Sequence, residues 1–156
     1  MFEIKTIKDI SKQSLKSIFD NFNTIFETEK QLLNIAYHDF FNKEITLHIL
    51  YLKDKPVGLI VFNIEIIGEL KLFSIEFLFV DNLYRKTIYK ELDDNKISKY
   101  LLFFALKEVC KINETINIDM IIITPTNEKI KSLYIDFGFE YLDDDFLYIN
   151  MLDIKC

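Results

Sequence analysis

A carboxylate in the middle of an apolar stretch is the first candidate for chemistry. Glu76 lies within residues 70–80, LKLFSIEFLFV, which are mostly apolar and typical of a strand. An unpaired carboxylate buried in such a strand is costly, and burial would raise its pKa. A carboxyl group of this kind suits a general base that takes a proton from a nucleophile. Alternatively, Glu76 faces solvent on a half-exposed strand, and Glu65 in the preceding apolar run has the same ambiguity.

A second set of candidates lies near the C-terminus. Asn127, Ile130 and Tyr134 are three and then four residues apart, so they share one face of a helix. Gly138 can end that helix with a left-handed backbone, and Phe139 can begin a strand. A buried tyrosine on such a helix can serve packing alone, and an asparagine at a helix start is also an ordinary cap. The spacing by itself therefore predicts a helix without assigning a reaction.

These candidates must be positioned by a mixture of strands and helices. The predicted order is a strand (2–7), a helix after Ser11, a helix (27–42), two strands within 45–66 that turn at Asp54, Lys55 and Pro56, a strand (70–80), a helix from Lys96, a strand (116–125), a helix (127–137) and a hairpin turning at 143–145. With few glycines or prolines, the chain shows no interdomain linker. We therefore predict one α/β (α+β) domain over residues 1–156, with a mixed, mostly antiparallel sheet flanked by helices.

Composition limits the classes of function. The chain has 156 residues, of which 50% are hydrophobic, which is enough for a core without disulfides or a structural metal. No apolar run approaches the roughly 20 residues that span a bilayer, and the N-terminus lacks the apolar centre of a signal peptide. We therefore expect a cytoplasmic protein that does not contact membranes. A net charge of −6 with scattered lysines argues against a nucleic-acid partner.

Residues that commonly bind metals or act as nucleophiles form no recognisable cluster in the sequence. Cys110 and Cys156 lack the spacing of a metal or redox motif, so we expect both to be reduced, inert thiols. His38 and His48 have no partner at metal-ligand spacing. We therefore predict no metal site and assign neither histidine a role.

Two segments resemble the GNAT superfamily of acyl-CoA-dependent N-acetyltransferases. Residues 127–145, NEKIKSLYIDFGFEYLDDD, follow its pattern of Asn, an apolar residue, Tyr and Gly-Phe. Residues 74–86, SIEFLFVDNLYRK, are similar to the end of its fourth strand, particularly in the polyamine-type branch, with Glu76, Val80 and Arg85 at matching positions. The resemblance covers roughly residues 45–152 and implies a GNAT-like fold.

The loop between these segments departs from the superfamily. There, a glycine-rich sequence follows the arginine, and its backbone N–H groups hold the CoA pyrophosphate at a helix N-terminus. Here residues 80–102 contain no glycine, and KTIYKELDD, residues 86–94, is inserted. The loop may be interpreted in three ways: it still binds pyrophosphate, it accepts another acyl donor, or it has lost donor binding. The negative charge of Glu91, Asp93 and Asp94 argues against pyrophosphate binding, the first of these interpretations. If the first holds, the resemblance implies donor binding by Leu78, Val80, Arg85, Lys86, Lys96, Ile97, Ser98 and Asn127.

The resemblance implies an N-acetyltransferase that transfers an acetyl group from acetyl-CoA, its co-substrate, to a primary amine of a small-molecule or peptide acceptor. Glu76 would assist deprotonation of the amine, and Tyr134 would protonate the departing thiolate. The resemblance also allows a homodimer. The alternative is a catalytically inactive GNAT-like binding or regulatory domain, which the glycine-free loop favours. Aromatic residues of the N-terminal helices either fill the core or shape an acceptor pocket.

Overall fold

The structure is a computed structural model that describes residues 1–43, 45–125, 128–143 and 145–156. Strands and helices follow one another in the order β1 (Phe2–Ile7), α1 (Lys12–Asp20), α2 (Glu27–Asn42), β2 (Leu47–Leu52), β3 (Lys55–Ile67), β4 (Leu70–Val80), α3 (Ile97–Asn113), β5 (Met120–Ile123), α4 (Glu128–Phe137), β6 (Glu140–Tyr141) and β7 (Leu147–Asn150). Short 3-10 turns follow β4 and β7. The predicted order of elements is confirmed.

Two predicted boundaries were wrong. The turn between β2 and β3 is made by Lys53, with φ of 57°, and Asp54, whereas Lys55 and Pro56 already belong to β3. β5 is shorter than the predicted strand because the residues before it are held by side chains. Asn113 Oδ1 accepts the backbone N–H of Ile118 at 2.9 Å, and an asparagine that bonds the backbone locally competes with the strand ladder.

The strands hydrogen-bond in the order β1-β2-β3-β4-β5-β7-β6. β4 and β5 pair in parallel, and the crossover between them contains α3. The pairs β1–β2, β2–β3, β5–β7 and β6–β7 are antiparallel. The parallel register runs from Leu72 with Met120 to Ile75 with Ile123, while β4 itself continues to Val80. The prediction of a mixed, mostly antiparallel sheet flanked by helices is therefore confirmed.

The chain packs as two compact units, and the first comprises Met1–Val61 and Phe77–Phe103. Its core joins apolar residues of α1 and α2 to those of β2, β3 and the end of β4; they include Leu15, Phe19, Phe22, Leu33, Ala36, Phe40, Leu47, Ile49, Leu59, Val61 and Phe79. Gly58 lets α3 approach the sheet, since a Cβ there would lie 3.0 Å from Leu101 Cδ1 and 3.2 Å from Ile97 Cγ2. This close approach fixes where the first turn of α3 lies.

The second unit comprises Phe62–Glu76 and Phe104–Cys156. Its buried residues include Phe73, Ile121, Tyr134, Phe139 and Leu147. Cys110 and Cys156 form a disulfide with a Cα–Cα distance of 5.6 Å, so the expectation of two reduced thiols was wrong. Their 46-residue separation carries no spacing signal, and the fold alone brings the C-terminal residue to α3. Within the described ranges, no helix is both long and apolar enough to cross a bilayer.

Candidate active site

The inserted segment after β4 folds on itself. Tyr89 forms a β-bridge with Asn95, and the Asp94 N–H donates to the carbonyl oxygen of Tyr89 at 3.1 Å. Leu92 is only 1% exposed and anchors the segment. Asp93 and Asp94 have φ of 57° and 61°, a left-handed conformation that aspartate tolerates better than most residues with a side chain. Aspartates thus supply backbone conformations that glycine would otherwise provide.

The first turn of α3 presents backbone donors. The earliest α3 N–H group with a partner is that of Tyr100, which donates to the carbonyl oxygen of Lys96 at 3.1 Å. The N–H groups of Ile97, Ser98 and Lys99 form no hydrogen bond within the part of the chain that the structure describes. Such groups, together with the helix dipole, favour an anion. Lys96 is exposed beside them.

Arg85 is engaged inside the first unit. Its guanidinium pairs with Glu29 through Nη2, and its Nε donates to the carbonyl oxygen of Val80 at 2.7 Å. Its Cζ also lies 5.4 Å from the centre of the Phe79 ring. These interactions anchor Arg85 to α2 and to the end of β4, and its contact with a pyrophosphate stays a prediction. Lys86, by contrast, is exposed.

Glu29 is a residue that the sequence interpretation missed. It is 7% exposed, and its Oε1 accepts the backbone N–H groups of Ile25 at 2.9 Å and Phe26 at 3.1 Å. It thus satisfies backbone groups at the start of α2 while it pairs with Arg85. A glutamate in the first turn of a helix was the available signal. No signal in the sequence predicts its pairing with Arg85, because the two residues are 56 positions apart.

Tyr134 lies on α4 in the second unit and is 1% exposed. Its ring centre is 5.9 Å from that of Phe139. The Phe139 N–H donates to the carbonyl oxygen of Tyr134 at 3.0 Å, and Gly138 has φ of 118°, so the helix ends at the predicted glycine, four residues after this tyrosine. Burial raises the pKa of the Tyr134 phenol well above its usual range, so the phenol keeps its proton.

Glu76 is half-buried near the middle of β4, also in the second unit. The Asn63 Nδ2 group on β3 donates to Glu76 Oε1 at 3.1 Å. The Glu76 carboxylate is therefore not isolated in an apolar core, and its role as a base stays a prediction. No motif or spacing in the sequence indicated a role for Asn63.

The remaining predicted donor-binding residues are distributed as follows. Leu78 and Val80 are buried at the end of β4, with 5% and 6% exposure. The carbonyl oxygen of Val80 already accepts from Arg85. Ile97 is fully buried and Ser98 half-buried in the first turn of α3. Asn127 lies outside the described residues.

A cavity of about 540 Å³ lies between α1 and α2 in the first unit. Phe19, Phe22 and Leu33 form its apolar part, and they are also members of the core. Its polar lining is Lys16, Asp20, Thr24, Lys30, Asn34, Tyr37 and His38. Aromatic residues of the N-terminal helices are thus core residues, and some also line the cavity. Across the described residues, no cluster of three or more His, Cys, Asp or Glu side chains could hold a metal ion.

Similarity to known proteins is found at the level of structure. The sequence matches no protein-family model and no curated protein at a significant level. The AtaT toxin bound to the C-terminus of the antitoxin AtaR superposes with a TM-score of 0.74 and 15% identity, over 97% of this chain and 93% of that chain. AtaTR bound with acetyl-CoA superposes with a TM-score of 0.74 and 14% identity, over 97% of this chain and 94% of that chain. The DNA-bound AtaT–AtaR complex superposes with a TM-score of 0.68 and 17% identity, over 96% of this chain and 93% of that chain.

These neighbours correct the expected partners. We had predicted a small-molecule amine or peptide substrate and no nucleic acid, and that prediction was wrong. The structural neighbours include a toxin bound to an antitoxin and two complexes with DNA. The prediction rested on the net charge of this chain alone, whereas the DNA-bound neighbours are complexes of two proteins. With 15% identity, the similarity concerns the fold, and the chain has a GNAT-like fold.

Proposed function

We propose that this protein is an N-acetyltransferase that moves an acetyl group from acetyl-CoA to a primary amine. The observation that carries the proposal is the first turn of α3, where the N–H groups of Ile97, Ser98 and Lys99 lack partners among the described residues. This turn follows the loop in which the GNAT resemblance implies pyrophosphate binding. The absence of glycine from the loop does not remove these donors, since they belong to the backbone.

In this proposal, the pyrophosphate of CoA accepts hydrogen bonds from the N–H groups of the α3 turn. Lys96 adds positive charge from an exposed position. Arg85 acts indirectly, because its bonds to Glu29 and to Val80 hold the end of β4 and the start of the loop. The roles of Lys86, Leu78 and Asn127 stay predictions of the resemblance.

The proposed reaction is a direct attack of the amine nitrogen on the thioester carbonyl carbon. A C–N bond forms, the C–S bond breaks, and the CoA sulfur leaves with the electron pair. Glu76 takes a proton from the amine, and Tyr134 delivers one to the sulfur, so that protons balance. A tyrosine phenol is protonated at neutral pH, and burial raises the pKa of Tyr134 further, so it holds a proton when negative charge develops on the sulfur.

The similarity to an acetyl-CoA-bound structure of the same fold supports this proposal. The direct test is isothermal titration calorimetry with acetyl-CoA and with CoA, followed by turnover measurements with a panel of primary amines. We expect binding, and we expect the Tyr134→Phe variant to bind acetyl-CoA like the wild type but to turn over about a hundredfold more slowly, since a positioned acid contributes about that much or more.

The variant Ser98→Pro tests the binding site. Proline removes one N–H group from the first turn of α3, where the helix itself tolerates proline. We expect weaker acetyl-CoA binding without loss of folding. If the wild type binds no acetyl-CoA at millimolar concentration, the proposal fails and the alternative of a GNAT-like binding domain without activity replaces it.

A further inference from the structure

Asn63 on β3 and Glu76 on β4 form a polar pair within the second unit. Asn63 Nδ2 donates to Glu76 Oε1 at 3.1 Å across the β3–β4 hairpin, and both residues are half-buried. Because side chains alternate between the two faces of a strand, Val61 and Glu65 share the face of Asn63, whereas Phe62 and Ile64 lie on the other face. Asparagine is depleted in strands, so its presence in β3 calls for a specific explanation.

The hydrogen bonding of Asn63 is incomplete. Its Oδ1 is buried and has no hydrogen-bond partner among the described residues. Rotating the amide by half a turn would place Oδ1 against the Glu76 carboxylate, where two acceptors repel each other. The bond to Glu76 thus fixes the amide in an orientation that leaves an acceptor buried and unpaired, which is unfavourable for folding.

Neither strand propensity nor packing accounts for Asn63. Asparagine is depleted in strands, whereas isoleucine or leucine at this position would introduce no buried acceptor. Buried unpaired polar groups are few in native proteins, and each calls for an explanation. The favourable interaction that the structure shows for Asn63 is its bond to Glu76.

We propose that Asn63 is a positioning residue that holds the Glu76 carboxylate in the orientation required to accept the amine proton. This inference rests on the proposed function, in which Glu76 is the general base. A glutamate side chain samples several rotamers, and a donor on the neighbouring strand selects one of them. Asn63 itself contacts no reacting atom and acts through Glu76.

Two variants test this role. Asn63→Leu removes both the donor and the unpaired acceptor, and Asn63→Asp keeps the shape but replaces the donor by a like charge. In both we expect kcat to fall by about tenfold to about a hundredfold, as is usual when a residue that orients a catalytic group is lost. The KM for acetyl-CoA should change by less than about twofold, since the change is confined to the chemical step.

Stability separates positioning from a structural role. Asn63→Leu should unfold at the same temperature as the wild type or a higher one, because a buried unpaired acceptor is removed. The exposed Asn42→Leu variant is the matched control and should leave kcat unchanged. A drop in kcat with full stability supports positioning.

Three results would overturn the inference in distinguishable ways. An unchanged kcat in both Asn63 variants, with an active wild type, would remove the positioning role and leave the proposed function intact. If kcat falls in both variants only as far as their unfolding temperatures fall, Asn63 has a structural role and does not position Glu76. A wild type that acetylates no amine would overturn the proposed function, and this inference with it.

Discussion

The disulfide between Cys110 and Cys156 makes the stability of the second unit depend on redox state. The bridge closes a 46-residue separation that includes β5, α4, β6 and β7. In the chain-entropy model, a loop of that length lowers the entropy of the unfolded chain by about 13 cal/mol/K, which corresponds to about 4 kcal/mol at 25 °C. For a chain of this size, that is a change in unfolding temperature of roughly 8 to 16 °C.

The assay is thermal and urea denaturation of the wild type with and without dithiothreitol, beside Cys156→Ser. We expect reduction and substitution to lower the unfolding free energy by the same amount, with no further effect of reductant on the variant. Thiol titration of the native protein should detect no free thiol, since the structure shows none in its described residues. If reduction changes the unfolding free energy by less than about 1 kcal/mol, the entropic reasoning or the bridge itself is refuted.

Three further predictions follow from the contacts around the candidate site. Gly58→Val should lower the unfolding free energy by about 1 to 3 kcal/mol by overpacking against Leu101, and calorimetry should show weaker acetyl-CoA binding as the α3 turn moves. Arg85→Met should lower the unfolding free energy by roughly 3 kcal/mol, because Glu29 stays buried without its partner. Urea denaturation should show that adding Glu29→Gln restores part of this free energy. Deprotonation of Tyr134 should cause no decrease in kcat below about pH 10, since burial raises its pKa. A decrease in kcat near pH 8 that is absent from Tyr134→Phe would contradict this prediction.

Most elements could be predicted because each follows from a local pattern. Ser11 caps α1 by accepting the Ser14 N–H at 3.1 Å, and Gly68, with φ of 62°, separates β3 from β4. The short β5 could not be predicted, since it is limited by a hydrogen bond from Ile118 to a side chain of α3 rather than by its own apolar residues. Local periodicity predicts an element, but tertiary hydrogen bonds set its length.

The candidate site shows the same division between local and distant information. Tyr134 could be placed on a helical face before Gly138 because the relevant spacing lies within a few residues. The partners of Arg85 and Glu76 could not be predicted, because no rule of spacing connects them. Glu29 lies 56 positions from Arg85, and Asn63 lies 13 positions from Glu76. The resemblance to GNAT proteins identified which residues to consider, whereas the structure showed what holds them.

The loop before α3 contains no glycine, and the three glycines of the chain lie elsewhere. Gly68 and Gly138 occupy left-handed turns, and Gly58 permits close approach of α3 to the sheet. In the loop itself, Asp93 and Asp94 adopt the left-handed conformation despite their side chains. Glycine in a phosphate loop provides backbone freedom and close approach of the ligand. In the proposed function, the anion instead binds the N–H groups of Ile97, Ser98 and Lys99, which have no partner among the described residues and do not depend on a glycine.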